Sequence, residues 1–126
     1  MTIPPPPPPG VEPPVGAMSV PELVALVRRR DPYRGRAVFE LAARARTDHA
    51  AATALGELSR LPSARQDRLF HLVSLAWAAI TGLLAAETEQ ARRVAYAAFA
   101  DLEAGDRADL LAYLKVAKIE DAHPRM

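Results

Sequence analysis

An uncharged, proline-free run of eighteen residues, numbered 69–86, constrains the fold of this chain more than any other feature. It begins with Leu69 and ends with Ala86. As an α-helix with a rise of about 1.5 Å per residue, the run would be roughly 27 Å long, which is close to the thickness of a bilayer core. The run is therefore either the buried central helix of a helical domain or a short membrane span.

The composition of the run favours the buried helix. Eight of its residues are Leu, Ile, Val or Phe, and each of these stabilises membrane insertion by only about 0.3–0.6 kcal/mol. His71, Ser74 and Thr81 oppose insertion. At helical spacing the apolar side chains cover almost the whole circumference, which is typical of a helix enclosed by its neighbours in a bundle. We therefore expect a soluble protein with this helix at its centre, opened by a capping box at residues 63–66.

Small residues recur at four-residue spacing within the run, at Ala78, Gly82 and Ala86. In lipid such a series would be a helix-pairing face. In a soluble bundle it predicts the close approach of a second helix, and we favour this interpretation.

Capping residues and helix breakers divide the rest of the chain. A capping box at residues 19–22 opens the first helix, and Asp48 and Thr88 are the predicted N-caps of the third and fifth helices. Gly105 is predicted to end the fifth helix, and Asp106 to open the sixth. The predicted helices span about residues 19–31, 34–46, 48–61, 63–86, 88–104 and 106–120. No alternation with a period of two, which would indicate a strand, is present in the sequence.

The predicted fold class is all-α, a compact bundle of five to six helices over residues 19–120. A chain of 126 residues is normally one domain. The bundle is preceded by a disordered, proline-rich arm, residues 1–18, and followed by residues 121–126, which we expect to be frayed.

The arm contains six consecutive prolines, which favour an extended polyproline II rod because proline has a fixed φ and no amide donor. Such rods are ligands for aromatic grooves, so the arm is a candidate partner-binding segment. A stiff spacer is the other interpretation, and it is the one that we favour. The six prolines are Pro4, Pro5, Pro6, Pro7, Pro8 and Pro9.

Charge and cysteine content exclude several classes of protein. The formal net charge is +1, so no overall field draws the chain towards nucleic acid or acidic lipid. The chain has no cysteine, which excludes disulfides, thiolate catalysis and Cys-based attachment of zinc or haem. The first residues lack the basic patch and apolar core of a signal peptide, so the expected location is the cytoplasm.

No arrangement of residues in the sequence predicts catalysis, a metal site or a cofactor. The three histidines, His49, His71 and His123, are scattered, and none has a second ligand one helical turn away. Neither a Gly-rich phosphate loop nor a nucleophile elbow is present. We therefore expect that the protein is not an enzyme.

The strongest basic feature is a group of five arginines within nine residues, arranged around one tyrosine. Arginines at a helix end and on a tight turn could contact phosphates, with the tyrosine stacking on a base. The alternative is that they complement the helix dipole and a solvated loop, which is the commoner cause of such a cluster. The candidate nucleic-acid or anion contacts are Arg28, Arg29, Arg30, Tyr33, Arg34 and Arg36.

Two segments resemble helices of known families. Residues 105–115 resemble the C-terminal helix of class I c-type cytochromes, and residues 50–58 are similar to one helix of a HEAT-type repeat. The cytochrome haem-attachment motif is absent, and no regular period repeats the second segment. Neither resemblance therefore implies a family or a function.

The sequence leaves three functional hypotheses. The first is a non-catalytic protein-interaction module, a small adaptor or scaffold that binds another protein or itself through a helix groove or through the arm. The second is a nucleic-acid-binding regulator that uses the arginine cluster. The third is a single-pass membrane protein that spans the bilayer at residues 69–86. We favour the first, so nucleic acid and membrane are the less favoured partners.

Overall fold

A computed structural model describes residues 12–70 and 72–125, without the side chain of Phe70. The six consecutive prolines and His71 lie outside the described residues. The α-helices and strands, in chain order, are α1 Val20–Arg28, α2 Arg34–Arg44, α3 His49–Ser59, α4 Pro62–Gln66, β1 Arg68–Phe70, β2 Val73–Ser74, α5 Leu75–Ala85, α6 Glu89–Ala100 and α7 Ala104–Leu114. Two 3-10 turns, Val15–Ala17 and Ile119–Asp121, lie near the ends of the described chain.

Three helices begin at the residues that the sequence predicted. The Ser19 hydroxyl accepts a hydrogen bond from the Glu22 amide, and the Glu22 carboxylate accepts one from the Ser19 amide. The Asp48 side chain caps α3, and the Thr88 side chain caps α6. These side chains satisfy amide donors that have no partner within the helix, which is why they fix its first residue. The predicted break between the apolar helix and the helix that follows it is confirmed.

The prediction of one continuous helix from residue 63 to residue 86 is wrong. Pro62 opens the short helix α4, Ser63 forms no capping box, and the chain then leaves the helical path at Asp67. β1 and β2 pair antiparallel, with Arg68 opposite Ser74. The Ser74 side chain accepts a hydrogen bond from the Trp77 amide and caps α5, which has only eleven residues. The described chain is mostly helical, as predicted, but it contains this two-stranded ribbon and seven α-helices rather than five or six.

Asp67 is the physical reason for this break. Its backbone oxygen accepts a hydrogen bond from the Leu75 amide at 2.8 Å, and its carboxylate accepts two from the Arg34 guanidinium. A buried carboxylate needs such partners, and a continuous helix would not bring Asp67 to the backbone of Leu75. Because Arg34 is the first residue of α2 and Leu75 the first of α5, the two helices begin side by side at Asp67.

The central helix is α5, which packs against α2, α3 and α6. Ile80, Leu83 and Leu84 are fully buried in it. Within residues 12–70 and 72–125, no helix has the length and apolar character needed to cross a membrane. The hypothesis of a membrane span at residues 69–86 is therefore not supported, because that run is divided between the ribbon and α5.

Two segments near the ends of the described chain contact the helices. In the segment predicted as part of a disordered arm, Pro13 is buried, and Arg44 donates hydrogen bonds to the backbone oxygens of Val15 and Gly16. In the segment predicted to fray, Ala122 is buried and its backbone oxygen accepts a hydrogen bond from Arg92 at 3.0 Å. Arginines on α2 and α6 therefore hold these two described segments against the bundle.

The start of α7 differs from the prediction by a few residues. Glu103 occupies the N-cap position, and Gly105 lies inside the helix rather than ending the previous one. The Asp106 carboxylate does not cap a helix, because it accepts a hydrogen bond from the Trp77 indole N–H at 2.9 Å. A tertiary contact with the core therefore takes the side chain that the sequence pattern assigned to a cap.

Candidate functional site: a groove beside the central helix

A groove of about 770 Å³ runs along one side of α5, and we call it the α2–α5 groove. Its volume is within the usual range for ligand-binding pockets. The described lining residues come from α2, β2, α5 and α7, from the residues just after α2 and α5, and from residues 115–125, which we call the C-terminal segment: Phe39, Ala42, Ala43, Arg46, Val73, Ala78, Thr81, Gly82, Ala85, Ala86, Tyr113 and Arg125.

Small side chains form the floor of the groove. Ala78 and Gly82 lie one helical turn apart on α5, Ala86 follows at its C-cap, and Ala42 and Ala43 of α2 adjoin them. Small residues let another backbone approach a helix closely, at the short end of the usual 8–10 Å separation of helix axes. The small-residue series that the sequence singled out therefore faces the groove.

Two aromatic side chains stand at the walls. Tyr113 of α7 is 49% exposed, and Phe39 of α2 is 39% exposed. The Tyr113 ring lies 5.6 Å from the Trp77 ring, centroid to centroid. The two rings are tilted by 41° to each other, and Asp106 accepts a hydrogen bond from the Trp77 indole, so both contacts connect the α7 wall to the core. Exposed aromatic rings beside an apolar floor are common anchors in protein recognition.

The two ends of the groove differ in character. Val73, the first residue of β2 in the ribbon, lies at the end where α2 and α5 begin. Arg46 follows the C-terminus of α2. Arg125 belongs to the C-terminal segment. In this segment the His123 Nδ1 atom lies 3.0 Å from the carboxylate of Glu87, a residue just beyond the end of α5. The groove therefore has an apolar end at the helix N-termini and a cationic end at the helix C-termini.

Most arginines of the chain have partners. All fourteen arginines lie in the described part of the chain. Ten of them donate a hydrogen bond or form an ion pair. Within that part of the chain, the four arginines that do neither are Arg28, Arg30, Arg46 and Arg125. Two of these four line the groove, and no Asp or Glu is among its described lining residues. The groove is therefore apolar with uncompensated positive charge at one end.

The predicted arginine cluster does not form one uniform surface. Arg34 is bound to Asp67, whose pKa is lowered below its usual value by these hydrogen bonds. Arg36 is paired with Glu12, and Arg29 lies 3.6 Å from the carboxylate of Asp31. These three guanidinium groups already have anionic partners within the protein.

The remaining members of the cluster lie elsewhere. Arg28 lines a second, shallower depression of about 570 Å³ between α1 and α3, together with His49. Arg30 has no carboxylate within ion-pair distance among the described residues, and it helps to lower the pKa of Asp67 by its charge. The Tyr33 amide donates to the Asp31 carboxylate, in the turn that leads into α2.

The described residues contain no group of three or more His, Asp or Glu side chains that could hold a metal ion. His123 contacts Glu87, and its hydrogen bond lowers the pKa of that carboxyl group. The described lining of the α2–α5 groove contains the hydroxyl groups of Thr81 and Tyr113 and two guanidinium groups, and it contains no carboxylate, imidazole or thiol.

Comparisons with known proteins were made at three levels. No protein-family model, no curated protein and no solved structure matches this chain.

Proposed function

We propose that the chain is a non-catalytic interaction domain that binds a helix of another protein in the α2–α5 groove. The observation that carries the proposal is the side of the central helix α5 that lines this groove. Its small side chains leave about 770 Å³ between the walls of α2 and α7. An amphipathic helix placed there would take the position of one more helix of the bundle.

The dimensions of the floor suit a helix. The floor extends from Ala78 to its last residue, Ala86, a distance of eight helical steps, or about 12 Å at 1.5 Å per residue and a little over two helical turns. A partner helix of that length presents three apolar anchors at spacings of i, i+3 or i+4, and i+7. Tyr113 of the α7 wall, which is about half exposed, would contact one of these anchors.

The test is a selection from a displayed library of helical peptides of about fourteen residues. Peptides are selected on the wild-type protein and then compared on Ala43→Trp, which fills the groove from an exposed position on α2. Ala97→Trp is the matched control, because Ala97 is an exposed alanine in the middle of α6 and does not line the groove. Both substitutions are at exposed positions, and thermal unfolding checks that both variants fold.

We expect selected peptides to bind the wild type and Ala97→Trp equally and to bind Ala43→Trp at least tenfold more weakly. Their sequences should show the i, i+3 or i+4, i+7 apolar spacing. Peptides that bind all three proteins alike, or that lack helical spacing, would overturn the proposal. Concentration-dependent dimerisation that Ala43→Trp abolishes would instead make a second copy of this chain the occupant.

A further inference from the structure

The two arginines of the groove come from distant parts of the chain. Arg46 follows α2, and Arg125 lies eleven residues beyond the end of α7. Neither has a hydrogen bond or an ion pair among the described residues, and both are exposed. In a chain whose other arginines mostly have partners, two unpaired guanidinium groups at one apolar groove are an exception.

The fold places both arginines at the same end of the groove. α2 and α5 begin side by side at Asp67, and each has eleven residues. Arg46 lies just past the end of α2. Arg125 is held near the end of α5, because the segment before it is bound by Arg92 and by Glu87.

The charge balance at this end remains positive. Each helix C-terminus amounts to about half a negative charge. Two guanidinium groups set against two such termini leave a net charge of roughly +1. No Asp or Glu is among the described lining residues, so the charge is not neutralised within the groove. Apolar walls of low dielectric strengthen its effect on an occupant.

We infer that the α2–α5 groove selects an acidic amphipathic helix, one whose carboxylates are clustered at a single end of its apolar stripe. This inference rests on the proposed function, because it specifies the helix that the groove binds. The carboxylates pair with Arg46 and Arg125, while the apolar stripe lies on the alanine and glycine floor. Guanidinium and carboxylate groups form charge-assisted hydrogen bonds, which also fix the direction of the bound helix.

The test uses three synthetic helical peptides, amidated and acetylated, that share one leucine stripe. The first carries three glutamates at its N-terminal end, the second carries them at its C-terminal end, and the third carries glutamines at both ends. Binding is followed by fluorescence anisotropy at low and at high salt. The proteins are the wild type, the double variant Arg46→Glu/Arg125→Glu and the control Arg28→Glu, which changes an exposed, unpaired arginine outside the groove.

We expect one glutamate peptide to bind the wild type about tenfold more tightly than the glutamine peptide at low salt, from two ion pairs of ordinary strength. The preference should decrease with salt and disappear in Arg46→Glu/Arg125→Glu, but persist in Arg28→Glu. Equal binding of all three peptides would overturn the acidic selectivity and leave the helix groove standing. If both glutamate peptides bind more tightly than the glutamine peptide by the same factor, the conclusion that the positive charge lies at one end of the groove is overturned. No binding of any peptide would overturn the proposed function itself.

Arg46 and Arg125 could also be placed only to complement the helix C-termini. In that case the double substitution would lower the thermal unfolding temperature without changing the ranking of the three peptides, and this outcome would contradict the inference. A changed ranking with a nearly unchanged unfolding temperature supports it.

Discussion

The Asp67 carboxylate accepts two hydrogen bonds from the Arg34 guanidinium, at 2.5 Å from Nε and 2.7 Å from Nη2. Asp67 is almost fully buried, and Arg34 is about one-fifth exposed. Since the backbone oxygen of Asp67 also accepts from the Leu75 amide, this residue connects the first turns of α2 and α5. The floor and one wall of the α2–α5 groove therefore share a single polar junction.

Asp67→Asn tests this junction by removing the charge and keeping the shape. The pKa of Asp67 is lowered by the Arg34 hydrogen bonds, so its contribution to stability is complete above the unfolded value of about 3.9. It is lost as the pH falls through the lower pKa of the folded state. We expect a loss of about 2 kcal/mol in the free energy of unfolding at pH 7. Urea unfolding at pH 7 and in increasingly acidic buffers should show the deficit shrinking below about pH 4.

The control for this experiment is Glu89→Gln, since Glu89 pairs with Arg93 on the exposed surface of α6. That pair should contribute less than about 0.5 kcal/mol. A pH-independent deficit in Asp67→Asn would show that the charge of Asp67 is not what stabilises the junction.

Gly56→Ala should destabilise the protein, because α3 and α6 cross closely at this position. A β-carbon on residue 56 would lie 2.5 Å from Cγ1 of Val94. Overpacking of this kind costs about 1–3 kcal/mol, which exceeds the gain of about 1 kcal/mol from the helix propensity of alanine. Val94→Ala removes the clashing atom, so the two losses should be sub-additive by more than about 0.5 kcal/mol in a double-mutant cycle. Gly105→Ala is the control, because a β-carbon on residue 105 would have no neighbouring atom within 4 Å and the substitution should be neutral or stabilising.

Asp106→Ala should loosen the α7 wall of the groove. The indole N–H of the single tryptophan, Trp77, would lose its acceptor, at a cost of about 1–2 kcal/mol. We expect a red shift of Trp77 emission and weaker binding of the selected helical peptides, because the Tyr113 ring of the α7 wall packs against this indole. Asp109→Ala, at an exposed position on the same helix, should change neither. Unchanged emission and affinity in Asp106→Ala would show that α7 is held in another way.

Arg92→Gln should release the C-terminal segment that carries Arg125. The Arg92 guanidinium donates to the backbone oxygens of Glu120 and Ala122, at 3.1 and 3.0 Å. We expect faster amide hydrogen exchange in residues 119–123 and a reduced preference for the glutamate peptide. The neighbouring Arg93→Gln is the control, since Arg93 pairs with Glu89 on its own helix. Equal exchange rates in the two variants would contradict the anchoring role of Arg92.

The helical class and the local helix starts could be predicted from sequence, because capping at Ser19, Asp48 and Thr88 depends on neighbouring residues alone. The ribbon could not, because the residues that break the apolar run gain their partners from far along the chain. Asp67 does not continue the helix, because its carboxylate pairs with Arg34, which precedes it by 33 positions in the chain. A hydropathy pattern registers an uncharged run and carries no information about that contact.

The groove was predictable only in part. The small series Ala78, Gly82 and Ala86 was visible in the sequence, and it marked the floor. The rest of the lining comes from α2, β2, α7 and the C-terminal segment, and nothing local relates Phe39 to Tyr113 or Arg46 to Arg125. The sequence instead drew attention to the arginines near Tyr33, where Arg34 and Arg36 already have internal partners. The clustering of arginines along the chain indicates where positive charge is dense. Which arginines lack an acidic partner can be seen only in the folded structure.

The most direct test of the proposed binding site is an NMR titration of the wild-type protein with a peptide selected for helical binding. We predict that the amide signals perturbed most strongly belong to Ala43, Gly82 and Tyr113, while those of Ala97 and His49 remain in place. Perturbations centred on His49 and the α1–α3 depression, or spread evenly over the protein, would contradict the claim that the α2–α5 groove is the binding site.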